Sequence, residues 1–139
     1  MIDTVYLQRC IQALQKAQLL LQAAEPDSID YDMYRSACVK EFEIILEQSG
    51  KLLKKALKPY FHTSKAVDVL SFKDAFRQAN LHSLLTLPEV TRWFNYRDNR
   101  NNTAHDYGAG FAEETLALLP QFIVDAQALA QIIATQSDT

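Results

Sequence analysis

Apolar side chains recur at three- and four-residue intervals along almost the whole chain, and that periodicity leaves few folds open. Leu7, Cys10, Ile11, Leu14, Ala17 and Leu21 form one such stripe and predict a helix over 3–24, ended by Pro26 and the Asp-Ser-Ile-Asp stretch after it. Cys38, Phe42, Ile45, Leu46, Ser49, Leu53 and Ala56 predict a second over 32–57, closed by Pro59. Gly50 sits inside that second helix, where it costs about 1 kcal/mol relative to alanine, so a close helix contact is expected there. Ser71 with Asp74 reads as a capping box opening a short helix over 72–84. Pro88, at a first-turn position, starts another that carries Val90, Trp93 and Phe94. Phe111, Leu118, Phe122, Ala126, Leu129 and Ile133 mark a last helix over 111–134, with a kink or a restart expected at Pro120 and fraying expected after Ile133.

No stretch alternates as a strand does, and the three glycines and four prolines fall mostly between the periodic segments. The fold class is therefore all-α, a single up-and-down bundle of about five helices, with residues 1–139 as one domain. A chain of 139 residues is long enough to bury a core without staples.

Charge is unevenly placed. The formal net charge of −3 argues against a protein that coats nucleic acid indiscriminately, yet leaves room for a local basic site. Lys51, Lys54, Lys55, Lys58 and Lys65 follow one another with no acid between them. A solvated helix face is the ordinary reading of such a run, and an anionic partner surface is the other. Glu41, Glu43 and Glu47 read in the same way as a solvated face, with an acidic partner-facing cluster as the rival. Cys10 and Cys38 fall in helical stripes and read as reduced core thiols. The first residues carry no signal-peptide pattern, and no apolar run approaches the roughly 20 residues of a membrane helix, so a cytoplasmic location is expected. His62 and His82 lack ligand partners at zinc-like spacing, so no metal and no other cofactor is expected. Trp93, Tyr96 and Tyr60 are expected to pack in the core or a dimer seam.

One stretch departs from the amphipathic pattern. From Arg100 to Tyr107 the chain reads Arg-Asn-Asn-Thr-Ala-His-Asp-Tyr, a polar cluster with few good helix formers. Arginine offers a planar fork of donors to phosphate oxygens, and histidine exchanges protons near neutral pH. On an ideal helix Arg97, Asn101 and His105 share a face at i, i+4 and i+8, where Asn101 is placed to fix the imidazole tautomer. Arg100 is five positions from His105, about 140° around the axis. Both reach one pocket only if the helix ends between them or a second subunit supplies one of them. The weak helix formers Asn101, Asn102 and Thr103 favour an early end, with Tyr107 projecting from the following loop. Without the rest of the pattern, a histidine and an arginine near a helix end would read as dipole compensation and capping.

Arg100, Asn101, His105 and Tyr107 together resemble the signature of the HEPN family, an Arg, four to six residues, then His. The resemblance is closest to its nucleotidyltransferase-associated branch, the nucleotidyltransferase substrate-binding or HepT-like toxins, which add Asn after the Arg and Tyr two residues after the His. The segment from Arg35 through Phe42 and Glu43 to Lys54 is similar to that branch's second helix, with its customary tryptophan absent. The resemblance implies a HEPN-like homodimer whose two motifs face each other across a cleft. It implies a metal-independent endoribonuclease acting as a toxin, with Arg100 and His105 catalytic and Arg97 and Asn101 supporting. It also implies a minimal nucleotidyltransferase partner that neutralises the toxin by adding AMP to Tyr107. Some family members are regarded instead as non-catalytic nucleotide- or substrate-binding subunits, and that alternative stays open, as does a purely structural helical dimer. RNA or nucleotide is the implied ligand and no membrane is implied.

Overall fold

In the computed structural model, residues 1–105 and 109–136 are described, with the backbone alone for 102–105 and 109. Six α-helices follow one another: α1 (Val5–Ala23), α2 (Ile29–Leu57), α3 (Ser64–Asp68), α4 (Phe72–Leu81), α5 (Leu87–His105) and α6 (Ala109–Ala134), with a 3-10 turn at Lys58–Tyr60 after α2. No strand occurs among the described residues. The bundle therefore has one helix more than the five expected. The addition is the five-residue α3, capped by Thr63 Oγ1 accepting from the Ala66 amide and too short to show a stripe.

Hydroxyl caps set the helix starts. Ser28 Oγ accepts from the Tyr31 amide at 3.0 Å, so α2 begins three residues earlier than its apolar stripe suggested. Ser71 caps α4 as expected, accepting from the Asp74 amide, while the Asp74 carboxylate turns to Arg77 at 2.9 Å. A reciprocal box opens α5: the Thr86 amide donates to Glu89 Oε1 at 3.0 Å and the Glu89 amide to Thr86 Oγ1 at 3.3 Å.

The stripes expected in α1 and α2 are buried residue for residue. α1 lies along α2, and α6 packs against α2, α5 and α1. Between α2, α4, α5 and α6 the core is aromatic. Phe122 lies 4.6 Å from Phe42 and 5.7 Å from Trp93, Trp93 stacks on Phe76 at 5.1 Å, and Phe76 meets Phe72 at 4.6 Å. Trp93 and Tyr96 are core residues as expected. Tyr60 is not: it is 43% exposed and stacks on His82 at 4.2 Å. Cys10 and Cys38 are buried and unbridged. Burial pushes the Cys38 thiol up to about 11, far from a reactive thiolate.

Gly50 makes the close contact its position called for. A Cβ there would lie 2.8 Å from Cδ2 of Phe72, so only glycine lets the first residue of α4 seat against α2. α6 runs through Pro120 without restarting, and that residue lies exposed on the helix surface. The same helix is long and apolar enough over Gly110–Ala134, at mean hydropathy 1.5, to cross a membrane by length and composition, contrary to the expectation that no apolar run reaches that length. Its buried stripe, Leu119, Phe122, Ile123, Ala126, Leu129, Ala130 and Ile133, is instead the core face of the bundle. The fraying expected at the tail concerns in part 137–139, which lie outside the described residues.

Candidate functional site

α5 carries the motif, and two sets of contacts fix its position. The first is a clamp around the buried Asp125. Arg92 grips Asp125 of α6 with two parallel bonds, Nε to Oδ2 at 2.8 Å and an Nη to Oδ1 at 2.9 Å. The Tyr96 hydroxyl donates to the same carboxylate at 2.6 Å, and the Gln121 amide adds a bond at 3.2 Å. Burial alone would push the Asp125 carboxyl up, but the bonds from Arg92, Tyr96 and Gln121 outweigh it and hold the pKa below its ordinary value. The Tyr96 phenol is raised, first by burial and then by its bond to Asp125, so it stays a donor at physiological pH.

The second set lies beside the motif. Thr115 Oγ1 of α6 donates to Asn99 Oδ1 at 2.8 Å, one residue before Arg100. At the same end of the bundle Tyr31 of α2 donates to both carboxylate oxygens of Glu113, at 2.9 and 3.1 Å, with Arg35 at 3.9 Å. Asp98 pairs with Lys73 of α4 at 2.7 Å. The first two turns of α2, α4 and α6 are thus tied to one another or to the last two turns of α5.

The sequence-predicted residues are placed as follows. Arg100 is half-buried and Asn101 exposed. Arg97 is half-buried, its guanidinium 5.1 Å above the Phe72 ring. His105 is the last residue of α5, and its side chain lies outside the described residues, so the hydrogen bond expected from Asn101 does too. Tyr107 falls outside the described residues altogether. The early helix end is corrected: α5 continues through Asn101, Asn102 and Thr103 to His105. Their propensity penalties, at most about 0.7 kcal/mol each, are small beside the anchoring that the two contact sets supply upstream. On this continuous helix the Arg100 and His105 positions stand about 140° apart around the axis.

Sequence reasoning missed the clamp, although a lone acid, Asp125, in an otherwise apolar stripe was its visible signal. It also missed a groove of about 290 Å³ lined by Glu47, Gly50, Lys51 and Lys54 of α2, Phe72 of α4 and Arg97 of α5. Of the three acids expected on a solvated face, Glu47 is exposed, but Glu41 and Glu43 are half-buried. Among the described residues no group of three His, Cys, Asp or Glu side chains gathers closely enough to hold a metal ion.

Known proteins of the same shape exist. The family described as "Nucleotidyltransferase substrate binding protein like" matches residues 5–134. A probable ribonuclease HepT of Haemophilus influenzae is 28% identical over 104 residues, which span 75% of this chain and 70% of that protein. A solved Haemophilus influenzae structure, described as the fold of a substrate binding domain of a nucleotidyltransferase, superposes with a TM-score of 0.80 at 22% identity, covering 96% of this chain and 100% of that one. A Thermus thermophilus crystal structure does so with a TM-score of 0.67 at 22% identity, covering 89% and 98%.

Proposed function

The chain belongs to the nucleotidyltransferase substrate binding protein like family, and from that premise we propose that it is a homodimeric, metal-independent endoribonuclease, the toxin of a pair whose other member is a minimal nucleotidyltransferase. Metal-free RNA cleavage needs a base to take the 2′-hydroxyl proton and an acid to protonate the departing 5′-oxygen. It also needs positive charge on the phosphorane oxygens. His105 suits both proton steps and Arg100 the charge. One histidine per chain cannot be acid and base in the same step, and a two-fold axis through a shared cleft supplies the second.

The observation that carries this reading is the continuity of α5 from Arg100 to His105. It removes the intrachain route by which a broken helix would have turned both side chains into one pocket. A cleft lined by the α5 ends of two chains is the arrangement this reading then requires. The likeness to a probable ribonuclease HepT supports the same reading. The test is RNA cleavage in excess chelator by the purified protein and by its His105→Ala variant. Equal rates would end the proposal.

Neutralisation is assigned to Tyr107. Its phenolic oxygen attacks the α-phosphorus of ATP held by the nucleotidyltransferase, pyrophosphate leaves, and the phenolic proton passes to a base of that enzyme. A Tyr107→Phe protein is expected to keep its nuclease activity and to gain no AMP mass when incubated with the partner, ATP and Mg²⁺. Intact-mass spectrometry reads this directly, and an unchanged gain of AMP would place the modification elsewhere.

A second reading, a non-catalytic subunit that presents nucleotide to the nucleotidyltransferase, is favoured by the description of the superposing Haemophilus influenzae structure. Titration calorimetry showing ATP bound and dependent on Arg100, with no RNA cleavage by any preparation, would select it.

A further inference from the structure

The groove between α2, α4 and α5 is built rather than incidental. Gly50 admits Phe72 against α2, Phe72 leans on Phe76 at 4.6 Å, and Phe76 stacks on the fully buried Trp93 at 5.1 Å. The aromatic core thus extends to the surface and ends beneath Arg97, whose guanidinium carbon lies 5.1 Å from the centre of the Phe72 ring. Lys51 and Lys54 stand on the opposite wall, one helical turn apart. Lys54 Nζ donates to the Asp68 carbonyl at 3.3 Å, which leaves it two further donors. Three cations face the groove against the single carboxylate of Glu47, and the nearby acids Asp98 and Asp74 are already paired with Lys73 and Arg77. In a chain of net charge −3 this is a local excess of positive charge.

Its position gives the excess a use. Arg97, Asn101 and His105 fall on one face of continuous α5, so the groove opens along the face that leads to the motif. Eight residues separate Arg97 from His105, about 12 Å along the axis, the length of a few nucleotides of single strand.

We propose that Lys51, Lys54 and Arg97 form a phosphate-binding track for the single-stranded RNA that flanks the cleaved phosphodiester. This deepens the endoribonuclease reading and rests on it. The cations neutralise successive backbone phosphates without reading sequence, and the strand's exit from the cleft is thereby aimed along α2.

The test uses the full chain carrying His105→Ala, so that a 5′-labelled 12-nucleotide RNA stays intact, and compares it with the same chain also carrying Lys51→Ala and Lys54→Ala. The double substitution is expected to weaken binding about tenfold near 100 mM salt and to flatten the log–log salt slope by about 1.4, at about 0.7 per lost phosphate contact. Thermal midpoints should be equal, because Lys51 is exposed and Lys54 only half-buried. Unchanged affinity and slope would overturn the track while leaving the cleavage reading intact. The expected loss of affinity, with wild-type protein that cuts no RNA, would overturn the cleavage reading and leave the track. Unchanged RNA binding together with a lost nucleotidyltransferase complex would make the groove a protein interface and also overturn the proposal. A parent chain that binds no RNA even at low salt would overturn both.

Discussion

His105→Ala is expected to slow metal-free RNA cleavage by roughly 10²–10⁴-fold, the usual consequence of removing a positioned general acid or base. In the proposed two-fold cleft a single substitution removes base and acid together, and the upper half of that range is the expectation. Arg100→Ala should cost about 10²–10³-fold, as loss of a donor aimed at developing negative charge does. The two losses should differ in their pH dependence. Arg100→Ala should retain a bell-shaped profile, since one histidine must be neutral and the other protonated, whereas His105→Ala should show no bell. Initial rates in chelator across pH 5–9 measure both, with matched thermal midpoints to show that the fold is kept. Rates within twofold of wild type for both variants would remove the catalytic assignment.

Asp125→Ala is expected to destabilise the fold by about 3–5 kcal/mol, a fall in thermal midpoint on the order of 10 °C. Asp125 is 3% exposed and accepts from Arg92, Tyr96 and Gln121 at once. Its removal leaves the Tyr96 hydroxyl buried without that acceptor and frees Arg92 from the helix it holds. The carboxyl is held below its ordinary pKa in the folded chain. A group lowered in this way stabilises the fold above its unfolded value, about 3.9, and that contribution disappears as pH falls through the folded value. The wild-type chain should therefore lose stability below about pH 4, and an Asp125→Asn chain, less stable at neutrality, should lose less over the same interval. Urea denaturation at pH 7 and pH 3 decides the matter. A difference below about 1 kcal/mol at pH 7 would show that the clamp contributes little.

How far the sequence revealed this molecule depended on the range of each interaction. The stripes of α1 and α2 were legible because burial follows helical spacing, and Leu7 to Leu21 and Cys38 to Ala56 are buried where the spacing put them. Gly50 was legible as a close contact, but its neighbour Phe72 was not, since nothing local joins residues of two helices. Ser28 was read as part of a loop because its capping role shows only once α2 is seen to start before its first apolar stripe residue. The end of α5 was misjudged by weighting the propensities of Asn101, Asn102 and Thr103 over the tertiary anchors Arg92, Tyr96 and Asn99. That Arg97, Arg100 and Asn101 lie on one helix was legible from spacing. The groove beside them was not, because Lys51, Lys54, Phe72 and Arg97 come from three helices and meet only in the fold.

The central claim, a cleft that needs the histidines of two chains, is tested most directly by subunit mixing. Wild-type and His105→Ala chains are unfolded together at equal amounts, refolded and assayed for metal-free RNA cleavage. If both histidines of a dimer are required, activity follows the square of the wild-type fraction and falls to about a quarter of an all-wild-type sample. Activity of about a half, linear in the wild-type fraction, would show that each chain works alone and would contradict the shared cleft.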